Sequence, residues 1–273
     1  MIVPFSKLHG LGNDFIVVDE LQKQVIEEKD RQYFASKNCK RNFSVGADGL
    51  LFLCRPDKSQ NDFRMRIFNS DGSEAETCVN GLRCAAFEAF LLNGGKKKEF
   101  KVETGAGLVN AKIVRQKGYS ADVELELLGG RQFRGKFYLN LGKKSFEYYS
   151  VDLGNPHAVV FLKEPVKDFP VEEIGHKFEW NRAFQPERTN TEFVNVISPK
   201  SIKMRVHERG ACETMACGSG AIASVIAGIE TGLLSGSGWV KVEMLGGTVE
   251  IKAGKGLFLK GPAKKVFTGS LDW

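Results

Sequence analysis

Apolar residues along the chain fall mostly in short alternating runs bounded by glycine, asparagine and aspartate, and only a few segments repeat at helical spacing. Phe5 to Asp19 reads as strand, Gly-rich turn and strand, with Phe15-Ile16-Val17-Val18 buried. A helical pattern runs from Glu27 to Asn38, with Tyr33 and Phe34 on one face. Strands follow at Leu50 to Cys54 and Arg64 to Phe68, and Asn69-Ser70-Asp71-Gly72-Ser73 makes a turn. Gly81 to Leu92 carries Leu82, Ala85, Ala86, Ala89 and Phe90 at helical spacing, and Asn93-Gly94-Gly95 stops it. The small alanines predict close packing around this helix. Further strands are expected at Phe100 to Glu103 and Leu108 to Val114, before the polar stretch Gln116 to Ser120.

The second half repeats the first. Gly12-Asn13 recurs as Gly154-Asn155, Cys78 as Cys217, and Val102-Glu103 with Gly107, Val109 and Lys112 as Val242-Glu243 with Gly247, Val249 and Lys252. The offsets are 142, 139 and 140 positions, so three landmarks recur in one order at nearly one spacing. The second helix, Gly220 to Leu234, is apolar on all sides until Glu230 and must therefore be buried, with a sheet curled around it. The expected class is α+β: two pseudo-symmetric domains, each a curled, mostly antiparallel, barrel-like sheet wrapped around a central helix. The boundary is placed in the polar stretch, giving a first domain of residues 1–117 completed by a returning tail, 264–273, and a second of 118–263. A pseudo-dyad between two such domains would bring the two Cys-headed helix starts face to face across a cleft.

Composition narrows the class of protein without choosing a function. The 273 residues are 42% hydrophobic and 26% charged, as in a soluble globular protein. The net charge is only +6, and the run Lys96-Lys97-Lys98 between a helix end and a strand reads as a solvated turn, so a nucleic-acid partner is not expected. No apolar stretch approaches the roughly 20 residues of a membrane helix, and a cytoplasmic location is the default expectation. The six cysteines form no C-x-x-C pair and no Cys/His zinc spacing, so no metal site is expected and reduced thiols are.

Two of those thiols carry the chemistry. Cys78-Val79-Asn80-Gly81 and Cys217-Gly218-Ser219-Gly220 each place a cysteine where loop becomes helix. Unpartnered N–H groups and the macrodipole favour a thiolate there, so the pKa of each should fall below its free value. The same N–H groups can hold a carboxylate. On opposite faces of one carbon, a thiolate can remove a proton while a thiol returns one, which inverts the centre and needs no metal or pyridoxal cofactor. Cys39, Cys54, Cys84 and Cys212 read as small buried hydrophobes. His157 and Glu208 are either functional groups or ordinary hydrogen-bonders at strand ends.

His9-Gly-Leu-Gly-Asn13-Asp-Phe15, Phe68-Asn69-Ser-Asp-Gly-Ser73 leading to Cys78, Gly154-Asn-Pro-His157, Glu208-Arg209-Gly210 and Ala216-Cys-Gly-Ser-Gly220 resemble, in order and spacing, the signatures of the diaminopimelate epimerase family. The resemblance implies a cofactor-independent isomerase that turns LL-2,6-diaminopimelate into the meso form for lysine and peptidoglycan synthesis, commonly as a homodimer. It implies Cys78 and Cys217 as the acid/base pair, supported by His157 and Glu208. Asn13 and Asn155 would lie in the substrate cleft. Asn69, Asn190 and Arg209 would read the distal amino-acid end, and Asn80, Gly218 and Ser219 would cradle the carboxylate, with Val79 and Glu208 also at the substrate. Val79 stands where that family has glycine, Gly49 where some members have glutamine, and Cys212 where glycine is usual. Another cofactor-independent amino-acid racemase on the same two thiols is the alternative.

Overall fold

A computed structural model describes residues 1–128 and 130–273. The chain divides into two compact units, residues 1–128 with 260–273, and residues 129–259.

In the first unit, β1 (Ile2–Gly10) and β2 (Asn13–Glu20) form the opening hairpin, its turn carried by Gly12 at φ 88°. A helix α1 (Arg31–Asn38) crosses to β3 (Gly49–Cys54), which lies parallel to β2 and antiparallel to β4 (Phe63–Asn69). After the short β5 (Glu74–Ala75) comes α2 (Val79–Leu92), then β6 (Glu99–Thr104), β7 (Gly107–Lys117) and β8 (Ser120–Leu127). β6 pairs in parallel with β4, and the last strand of the chain pairs with both β8 and β1, so eight strands close into a ring. The axis of that ring is α2. Its buried residues run from Asn80 to Phe90, and Leu82, Ala85, Ala86, Phe87 and Ala89 share a core with Leu8, Phe15, Leu51, Phe63, Val102 and Val123. Alanines at three of these positions leave room for strands to approach from every side; removing the Phe87 ring would cost about 3 to 5 kcal/mol.

The second unit repeats this plan. β9 (Gln132–Leu141) pairs with β10 (Lys144–Asp152), and β10 with β11 (Pro156–Phe161). A crossover through α3 (Val171–Glu179) leads to β12 (Asn190–Ser198), parallel to β11, and β13 (Ser201–Glu208) returns antiparallel. β14 (Cys212–Thr214) precedes α4 (Gly218–Glu230), which is followed by β15 (Val240–Met244), parallel to β13, and then by β16 (Gly247–Ala253) and β17 (Leu257–Asp272). Gly220 to Gly228 of α4 are all buried, as its all-round apolarity requires.

Element boundaries move modestly from the sequence reading. The first helical pattern begins at Glu27, but its first turn is a tight one, Glu28–Asp30, before α1. The pattern extending to Leu234 ends as helix at Glu230, and Leu234 folds back so that its side chain meets Gly228. The stretch at Gln116–Ser120 is the turn of the β7–β8 hairpin. Register along that hairpin binds β8 to the first unit, so the division falls after Leu128, not after Lys117, and the returning tail starts at Lys260.

Register places the polar ends of strands together in each unit. Phe15 pairs with Gly49 and Gly49 with Asn69, so Asn13, Gly49 and Asn69 lie along one edge of the first unit. His157 pairs with Asn190 and Glu208 with Cys212, which sets Asn155, His157, Asn190 and Glu208 along the corresponding edge of the second.

Candidate active site

Each of the two cysteines is the residue before a helix, with extended backbone at φ −146°, ψ 118° for Cys78 and φ −113°, ψ 113° for Cys217. Each sulfur accepts a hydrogen bond from the backbone N–H three residues on: Gly81 at 3.4 Å and Gly220 at 3.3 Å. The sequence makes this possible because a cap needs a short side chain with an acceptor and the glycine at the third helical position lets the chain close tightly. A Cβ on Gly220 would stand 2.7 Å from Glu192 Oε1 and 3.3 Å from Cys217 Sγ, whereas one on Gly81 would make ordinary to tight contacts, at 3.3 Å with Leu51 and 3.4 Å with Cys78.

Around Cys78 the neighbours are amides and a buried cation. Asp48 accepts from the Asn13 side-chain amide at 2.9 Å, which turns Asn13 Oδ1 toward Asn80 Nδ2, 3.1 Å away, and toward the Cys78 thiol at 3.8 Å. Asp48 is itself held by Arg41, which also binds Asp14, and Asp14 pairs with Lys7. Arg83, one turn into α2 and wholly buried, donates to Asn80 Oδ1 at 2.8 Å and to the Pro262 carbonyl at 3.2 Å. Guanidinium stays charged in proteins, so this is a fixed positive charge under the helix start, and burial lowers its pKa without removing the proton. Val79 opens α2 and packs on the core, while Asn69 uses its amide to hold Ser73 at 3.0 Å.

Around Cys217 the neighbours are carboxylates. The thiol hydrogen-bonds Glu208, Ser219 Oγ lies 3.4 Å from the sulfur, and Thr214 donates its hydroxyl to Glu208. Glu192, fully buried on β12, faces His157 Nδ1 at 2.7 Å, while His157 Nε2 is 3.2 Å from Asn155 Oδ1. Asn190 Oδ1 accepts from the Arg209 backbone N–H at 2.9 Å, and the Arg209 guanidinium rests on the Glu187 carbonyl at 2.6 Å. Gly218 is the buried first residue of α4.

These surroundings correct one expectation. A helix start lowers a thiol's pKa, yet at Cys217 burial, and after it the negative charges of Glu208 and Glu192, push the thiol well above its ordinary value. Burial likewise raises Glu208, with Glu192 adding to it. Desolvation outweighs the two hydrogen bonds that Ser219 and Gly220 give the sulfur.

Glu192 was missed from the sequence. Its only signal is an acidic residue inside the apolar strand run Thr191-Glu192-Phe193-Val194, where a buried carboxylate needs a partner. Arg83 was missed as well; its only signal is a charge, like Glu88, within a mostly apolar helix. Of the four cysteines read as buried hydrophobes, Cys39 and Cys84 are buried with thiols pushed up to about 12, and Cys54 is half-buried at about 11. Cys212 departs from that reading: it is exposed at the start of β14 with φ 61°.

Comparison with known proteins gives the family and the fold. The diaminopimelate epimerase family model matches residues 5–125 and 149–266. The chain is 42% identical to diaminopimelate epimerase of Trichodesmium erythraeum, covering 98% of this chain and 99% of the relative. The enzyme of the same name from Halothermothrix orenii is 39% identical, covering 99% and 98%. Among solved structures, a hydroxyproline epimerase from Agrobacterium vitis superposes with a TM-score of 0.74 at 13% identity, over 99% of this chain and 92% of that one. A Bacillus anthracis phenazine biosynthesis protein of the PhzF family gives 0.73 at 16% identity, over 100% of both chains. At such identities the solved structures speak for the fold alone, whereas the full-length relatives and the family model establish that this chain belongs to the diaminopimelate epimerase family.

Proposed function

We propose that the chain inverts one stereocentre of LL-2,6-diaminopimelate to give the meso isomer, with Cys78 and Cys217 as the acid/base pair. The observation that carries the reading is the duplicated Cys cap in opposite electrostatic settings. In the direction that starts at Cys78, its thiolate, favoured by the Arg83 charge and the α2 start, removes the Cα proton. The Cys217 thiol, kept protonated by burial and its carboxylate neighbours, delivers a proton to the other face. One C–H bond breaks, one forms, and the carbon inverts with no net change in protons. The resting state then returns by the reverse reaction or by exchange with solvent, and the two thiols titrate as a pair.

The remaining assignments support this step. The N–H groups opening α2 and α4, with Val79, Asn80, Gly218 and Ser219, hold the reacting carboxylate, onto which charge moves as the proton leaves; losing one such donor typically costs about 3 to 4 kcal/mol of barrier. Asn13, Asn155 and His157 orient the reacting end, Glu208 sets the charge state of Cys217, and Asn69, Asn190 and Arg209 read the distal amino-acid group. Arg209 suits a second carboxylate because guanidinium binds it in bidentate fashion. Proline offers no such group, which counts against a proline racemase on this scaffold. A cytoplasmic homodimer that needs no cofactor belongs to the same reading, and among the described residues no helix is long and apolar enough to cross a membrane.

The test is incubation of the reduced protein with LL-diaminopimelate in deuterated water. Deuterium at Cα together with meso product is expected. Absence of both, alongside turnover of a different amino acid, would overturn the substrate assignment.

A further inference from the structure

Helix α3 carries His176 and Glu179 one turn apart, at i and i+3, and packs against β13, which carries His207. Gly175 makes the approach possible. A Cβ there would stand 2.2 Å from His207 Cβ and 2.5 Å from its Cγ, so a glycine that weakens the helix interior is what seats this imidazole against the helix.

Inside that contact the donors are arranged unevenly. His207 is wholly buried, and its Nε2 lies 2.9 Å from Glu179 Oε2. Its Nδ1 is buried and makes no hydrogen bond among the described residues; Glu172 Oε2 stands 3.8 Å away. Glu179 Oε1 is already used, accepting from Arg188 at 2.8 Å and from the Gly210 N–H at 3.0 Å, which leaves Oε2 directed at His207. The exposed His176 completes the group: one donor atom each from His176, Glu179 and His207 lie within 4.8 Å of one another. A plain Glu179–His207 ion pair accounts for two of these residues. It explains neither the third ligand, His176, brought to the same point nor the unbonded Nδ1.

We propose that His176, Glu179 and His207 form a site for a divalent transition-metal ion of the zinc class. Two imidazoles and a carboxylate are a donor set that such ions favour. Ligand bonds of about 2.0 to 2.2 Å need donors closer together than 4.8 Å, and His176, on the exposed face, can supply the movement. On binding, the proton that His207 Nε2 shares with Glu179 passes to Nδ1, and the ion takes the Nε2 lone pair so freed. Nδ1–H then has Glu172 as its outer partner, the arrangement that commonly orients a metal-bound imidazole. His207 directly precedes Glu208, and Glu179 holds Gly210, so the ion would clamp α3 to the strand end and turn that carry Glu208 and Arg209.

The experiment titrates zinc chloride into the chelator-treated full chain by calorimetry, in a Cys78→Ala/Cys212→Ser/Cys217→Ala background that removes competing thiolates. Saturation at one ion per chain is expected, with a melting temperature that rises with zinc concentration. His176→Ala, at an exposed position, should keep the metal-free melting temperature and weaken zinc binding about tenfold or more. Cobalt in place of zinc should give ligand-field absorption without a sulfur charge-transfer band. No saturable binding near one ion per chain, or equal affinity in His176→Ala, would overturn the proposal.

Discussion

The two Cys-headed helices have the same backbone and opposite chemistry. Both caps are extended, and both sulfurs accept from the third N–H of the helix at nearly the same distance. Beneath Cys78 lies the buried cation Arg83, reached through Asn80; beside Cys217 lie Glu208 and, across the helix start, Glu192 paired with His157. The helix start supplies a similar positive field in both places, so the difference between the halves comes from side chains, Arg83 within α2 itself and Glu192 and Glu208 on β12 and β13. A duplicated motif can thus provide two unlike partners, which a proton relay through one carbon requires.

The largest expected effect comes from removing either sulfur. Cys78→Ala and Cys217→Ala should each lower kcat by about 10³-fold or more, measured by meso-diaminopimelate formation. Full activity in one of them would break the pairing. Glu208→Gln tests the charge difference directly. Burial is the leading cause of the raised Cys217 thiol and Glu208 the next, so neutralising Glu208 should lower that pKa. In a Cys78→Ala background, alkylation of Cys217 by iodoacetamide should then reach its half-maximal rate at a lower pH than with Glu208 present, and kcat in the otherwise native chain should fall about 10²-fold. An unmoved profile would remove Glu208 as a cause and leave the raised pKa to burial and Glu192.

Glycine substitutions sharpen the comparison through stability. Gly220→Ala drives a Cβ against the Glu192 carboxylate and should cost about 1 to 3 kcal/mol in urea unfolding. Gly81→Ala meets only the flexible Leu51 and the Cys78 side chain, and its better helix propensity should hold the change within about 1 kcal/mol. The smallest effect is expected at Cys212, a non-glycine at φ 61°. Cys212→Gly should raise stability by about 1 kcal/mol, read from the urea midpoint.

Much of the fold was legible because it rests on local rules. Alternation marked the strands, the alanine spacing marked α2, and the polarity-free run marked α4 as buried. The Cys-x-x-Gly caps could be read because a cap is built within four residues. The hairpin at Lys117 to Ser120 was mistaken for a boundary because a polar turn looks the same whether it joins two paired strands or two domains. Glu192, Arg83 and the His176–Glu179–His207 group were not legible, since each depends on partners that pairing and packing bring from distant parts of the chain.

The amino-acid order by itself determined the duplicated architecture, the two capped thiols and the family, because each is a matter of spacing along a few residues or of direct similarity. Only the tertiary structure decided that Cys217 holds its proton and that a buried cation underlies Cys78. Charge acts through space and grows as water is removed, so its effect on a thiol is set by which strands close around it.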